Sequence, residues 1–178
     1  MRKKLLITGA LIAVFVGAYA IGGGGKTKET ANQTVPNIKQ LVNDYSAGKL
    51  EAKSASITSS KLTVTAENNN KTTYSLPDDE FFVSIAPYVN KTHPCATHSL
   101  TGCQGEMEKE KFNVTITDAD GKVVIKDVFE TFDNGFIDFW LPRDQKFHVQ
   151  IEQGGKSSES EISTFEGDNT CISTMKLT

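Results

Sequence analysis

The stretch T-H-P-C-A-T-H-S-L-T-G-C-Q-G-E, residues 92–106, holds two cysteines and two histidines in a chain of 178 residues with only three cysteines. The third, Cys171, lies in T-C-I-S-T-M near the C-terminus. Three thiols cannot all pair internally, so one is left over. In an oxidising compartment the plain reading is one structural disulfide and one free cysteine. The alternative is that all three sulfurs meet on one ion, since thiolates select Cu(I), zinc or iron–sulfur clusters. The spacing of Cys95 and Cys103 is not that of a zinc knuckle, whose paired ligands sit about two to four residues apart. His93 and His98 flank Cys95 in a loop rich in Gly, Thr and Pro. They are candidate ligands of second rank behind Cys95, Cys103 and Cys171. A Cys–His hydrolase built on Cys95 and His98 lacks a third group and an oxyanion hole. A thiol–disulfide oxidoreductase of the usual kind lacks its C-x-x-C. No nucleophile elbow, zinc-protease helix or phosphate loop appears, so no catalytic residue is assigned. A thiol-redox protein and a disulfide-stapled envelope module remain as alternatives to a metal binder.

The head of the chain indicates where these thiols reside. Arg2, Lys3 and Lys4 precede the apolar run Leu5 to Val16, and Ala18-Tyr19-Ala20 fits a small-x-small cleavage site. This is the layout of a secretory signal peptide over 1–20, with an uncleaved anchor as the alternative. Both export the protein. Removing 1–20 takes three of 19 Lys and Arg and none of 22 Asp and Glu, leaving 16 against 22, a charge of −6. That balance carries no electrostatic footprint for nucleic acid. Residues 21–36, with four consecutive glycines and no apolar period, read as a flexible tether.

The elements that must position the thiols follow. Ile38, Leu41, Val42 and Tyr45 recur at helical spacing. Asn37 stands at the N-cap with Gln40 three residues on, and Gly48 at the stop. Alternating strands after it, around E-N-N-N-K and in F-F-V-S-I-A, complete a small α+β unit over 37–90. Residues 91–110 form the Cys/His loop. From Lys111 to Thr178 short alternating strands separated by D-A-D-G, N-G, L-P-R-D and G-G predict an antiparallel β-sandwich of about seven strands, immunoglobulin-like or transthyretin-like. The fold class is therefore α+β. Cys103 lies just before the first strand of that sandwich and Cys171 opens its last. In immunoglobulin-like sandwiches these strands often run parallel as neighbours, which would bring Cys171 to the loop. Under air the apo protein should hold one disulfide that includes Cys171, with Cys95 and Cys103 both open as its partner.

T-H-P-C-A-T-H-S-L-T-G-C-Q-G-E with the late T-C-I-S-T, together with P-D-D-E-F-F-V-S-I-A-P-Y and G-F-I-D-F-W-L-P-R, resembles the CueP family of periplasmic copper-binding proteins over roughly residues 37–178. The resemblance implies copper binding by Cys95, Cys103 and Cys171 in copper tolerance of the cell envelope. It also implies storage and delivery to envelope copper enzymes such as copper–zinc superoxide dismutase. Three thiolates suit trigonal Cu(I). Zinc is the alternative cargo, with His93 or His98 completing a Cys3His set. Thiolates can also reduce Cu(II) while forming a disulfide. Met175 reads as core, Trp140 as core or cover, and His148 as facing solvent or a neighbouring element.

Overall fold

The computed structural model describes residues 37–178, so the signal-peptide and tether segments lie outside the described residues. Helix α1, Ile38–Ser46, starts where Asn37 Oδ1 accepts the Gln40 N–H at 3.2 Å, and Gly48 beyond its end takes a φ of +65°. Its apolar stripe, Ile38, Leu41, Val42 and Tyr45, joins a core cluster lined by strands β1 (Ser54–Ile57) and β2 (Lys61–Thr65). Strand β3 (Lys71–Ser75) pairs outside β2, and the two-residue β5 (His98–Ser99) pairs with β1, giving the order β3-β2-β1-β5.

Strands β6 (Lys111–Asp118), β7 (Val123–Glu130), β9 (Lys146–Gln153) and β10 (Lys156–Ser163) form a second antiparallel sheet in the order β10-β9-β6-β7. Its inner face, Phe112, Val114, Ile116, Phe147, Val149 and Ile151, alternates with exposed or half-buried residues as period-two patterning requires. It packs against a third sheet of β4 (Glu80–Ile85), β8 (Ile137–Pro142) and β11 (Cys171–Ile172), ordered β11-β4-β8. This third sheet is covered on both faces. Phe81, Val83, Ile85, Phe139 and Leu141 point into the main core, and Phe82 and Trp140 point toward the helix and the first sheet. Continuous burial from Phe81 to Ile85 is the mark of a strand with no solvent side.

Among the described residues the mostly antiparallel architecture with one helix agrees with an α+β sandwich. Two expectations are corrected. Residues 111–178 contribute six strands, and the seventh strand of the two packed sheets is β4, from upstream of the loop. The last strand runs parallel to an early one, but that strand is β4 and not β6, because β6 is already hydrogen-bonded on both edges by β7 and β9.

Candidate metal centre

The Cys/His loop leaves β4, returns through β5 and enters β6, and hydrogen bonds fix it along its length. At its start the N–H groups of Val89 and Asn90 donate to Glu106 Oε2 at 2.6 and 2.8 Å. Those bonds, Asn90 first, hold the Glu106 carboxyl at about 2, below the usual carboxylate range. At its middle, His98 N–H donates to Thr170 Oγ1 at 3.0 Å, and that hydroxyl donates to Ile57 O at 2.7 Å. The N–H groups of Thr170 and Cys171 both donate to Ala96 O. At its end, Gly105 N–H donates to Asn134 O at 2.7 Å. A Cβ on Gly105 would stand 2.6 Å from Gly135 O, so two glycines allow this backbone crossing.

Cys171 reaches the loop because its strand lies beside β4, in register with Ser84. Cys95 and Cys171 are paired as a disulfide, with Cα atoms 5.6 Å apart. Cys103 is the free thiol, and its sulfur lies 3.5 Å from that of Cys95. It also accepts the Ser99 N–H at 3.4 Å. A donor atom of His98 completes the group: the ligand atoms of Cys95, His98, Cys103 and Cys171 all lie within 4.8 Å of one another.

His98 is fully buried, 4.6 Å from the Phe136 ring and 6.2 Å from that of Phe82. Burial first, and repulsion from His93 second, push its pKa down to about 3, so the ring is neutral at neutral pH with one lone pair free. Neither ring nitrogen has a hydrogen-bond partner among the described residues. A buried imidazole in that condition, facing three sulfurs, is a donor set short of an electrophile. The residues present therefore fit a soft metal ion.

The family model described as "Periplasmic copper-binding protein CueP" matches residues 37–176. The chain belongs to the CueP family. Among solved structures, the crystal structure of S.CueP is 35% identical, with a TM-score of 0.76, over 82% of this chain and 92% of that one. No curated protein sequence matches. Membership in this periplasmic family places the protein outside the cytoplasm, as the head of the chain predicts. Among the described residues no helix is long and apolar enough to cross a membrane.

Within this CueP-family chain the two second-rank histidines separate. His98 stands in the cluster. His93 stays outside it, with its ring 6.4 Å from that of Phe136 and its carbonyl accepting Ser173 Oγ–H. His148 is exposed on β9 beside Glu159, and Met175 is buried in the main core. Three positioning residues escape sequence reasoning: Thr170, Phe136 and Gly135. Each sits beside a recognised feature (Thr170 next to Cys171, the others in the N-G turn before β8), but spacing alone assigns them no role.

Proposed function

We propose that this protein holds Cu(I) as cargo in the cell envelope through the thiolates of Cys95, Cys103 and Cys171, with His98 as an additional donor, and passes it to an envelope copper enzyme. The convergence of these four donors around an unpartnered buried imidazole carries the reading. Family membership supports copper as the metal. Three soft donors favour the monovalent ion, whereas zinc gains most from the fourth ligand. For the sandwich itself, the parallel pairing of the last strand with an early one supports the immunoglobulin-like or transthyretin-like reading.

A second reading shares the same residues. The Cys95–Cys171 disulfide with the Cys103 thiol at 3.5 Å is the arrangement of a thiol-redox centre. Oxidation of the Cys95/Cys171 dithiol to the disulfide yields two electrons and reduces two Cu(II) to Cu(I), releasing the thiol protons. Storage requires the dithiol, so the disulfide form must first be reduced.

The test is an anaerobic titration of the reduced mature protein with Cu(I) against a chromophoric chelator, with free thiols counted in parallel. One Cu(I) per chain, held more tightly than Zn(II) and protecting all three thiols from alkylation, is the expected result. Equal or stronger retention of zinc would reject copper as the cargo.

A further inference from the structure

Asp138 is a half-buried carboxyl with no part in the metal reading. On the three-stranded sheet it is the register partner of Ser84, and Ser84 is the register partner of Cys171. Residues in register across neighbouring strands present their side chains on the same face, with strands about 4.8 Å apart. Asp138, Ser84 and Cys171 thus form one cross-strand row. The Ser84 hydroxyl donates to Asp138 Oδ1 at 2.6 Å, and Ser46 of α1 donates to Oδ2 at 2.5 Å. Ser84 is fully buried and Cys171 is 1% exposed, whereas Cys95 is half-exposed. A thiolate that attacks this disulfide therefore meets Cys95 and expels Cys171 into a site closed to water.

From this row we infer that Asp138 is the proton donor, through Ser84, to Cys171 when the Cys95–Cys171 disulfide opens. The inference rests on the thiol site proposed above. In the step, an attacking thiolate, that of Cys103 or of an external thiol, forms a bond to Cys95 Sγ. The Cys95–Cys171 bond breaks, and its electron pair stays on Cys171 Sγ. The Ser84 hydroxyl turns from Asp138 to that sulfur, gives it its proton, and its oxygen takes the carboxyl proton of Asp138. The products are a Cys95 mixed disulfide, a Cys171 thiol and an Asp138 carboxylate. Disulfide closure runs the same path in reverse.

Two further features suit this role. Burial raises the Asp138 carboxyl to about 6, against the opposing hydrogen bonds from Ser46 and Ser84, so a protonated fraction exists near neutral pH. Asp138 also lines an open cleft of about 270 Å³ with Asn37, Lys39, Gln40, Phe132 and Trp140, through which solvent can return the proton. Of the charged groups on the packed elements, Lys39 of α1 shares that cleft and is paired with Glu80 of β4. His98 of β5 is neutral, and Asp133 is exposed beside Lys109. None of these supplies a proton to the row.

The experiment measures opening of the disulfide by dithiothreitol between pH 5 and 8, with rates divided by the dithiothreitol thiolate concentration. In the wild type this normalised rate should fall as pH rises through about 6, where Asp138 loses its proton. Asp138→Asn and Ser84→Ala should each be about tenfold or more slower at pH 5.5 and should lose the pH dependence. Ser84→Ala leaves the carboxyl in place, so it keeps the test decisive if Asp138→Asn does not fold. Normalised profiles of Ser84→Ala that superpose on the wild type would overturn the proton path. So would peptide mapping that finds no Cys95–Cys171 bond in the oxidised protein. The Cu(I) titration of the reduced variants is a separate readout: Asp138→Asn that binds Cu(I) but shows an unchanged profile refutes the proton path and leaves the metal site standing.

Discussion

At the scale of single residues, the proposed site asks unequal work of His98 and the three cysteines. A serine hydroxyl is a poor replacement for a soft thiolate, so Cys95→Ser, Cys103→Ser and Cys171→Ser should each weaken Cu(I) binding severely. His98→Ala should cost less, about 10–100-fold, the scale of a supporting donor. His93→Ala, outside the cluster, should leave affinity close to the wild type. Competition with a Cu(I) chelator ranks the five variants, and complete loss of copper in His98→Ala would replace the three-sulfur description with a four-donor one. The cysteines were legible because their type, count and exported context restrict their chemistry. His93 and His98 were indistinguishable in sequence, since both flank Cys95. What separates them is that His98 enters a strand, pairs with Ile57 and turns its ring inward, a tertiary event.

At the scale of elements, the loop depends on its glycine crossing. Gly135 has a φ of +74°, and a Cβ there would lie 2.8 Å from Gly105 C. Gly135→Ala therefore combines left-handed backbone strain with a backbone clash, and should lower stability by about 2–4 kcal/mol in denaturant unfolding. It should also weaken Cu(I) binding in the folded fraction, because the segment that carries Cys103 loses its fixed position. An unchanged midpoint would show that the crossing can relax. The helix, its cap and its glycine stop were readable because each is a local signal within a few residues. The allegiance of β4 was not. Its pairing with β8 and β11 joins residues more than fifty positions apart, and nothing in F-F-V-S-I-A states which sheet a doubly buried strand will join.

At the scale of the whole molecule, Asp138 ties α1, β4 and β8 together at a cost that depends on pH. Its folded-state pKa, about 6, lies above the ordinary 3.8, so the folded form binds the proton more tightly than the unfolded one. The ionised carboxylate thus destabilises the fold above about pH 6, and that penalty disappears as pH falls toward 4. Asp138→Asn should be more stable than the wild type at pH 8, by on the order of 3 kcal/mol. The difference should shrink to near zero by pH 4 in paired melts, and a constant difference across that range would contradict the assignment. The placement of Cys171 has a separate consequence for biogenesis. The chain is exported, and Cys171, seventy-six residues after Cys95, belongs to the final strand, which docks in parallel beside β4 and continues through Leu177 to Tyr88. If the chain is threaded N-terminus first, Cys95 and Cys103 emerge while the strand that completes the centre is still inside. The cluster then exists only in a chain whose passage is complete, so a molecule arrested in transit lacks the proposed copper site.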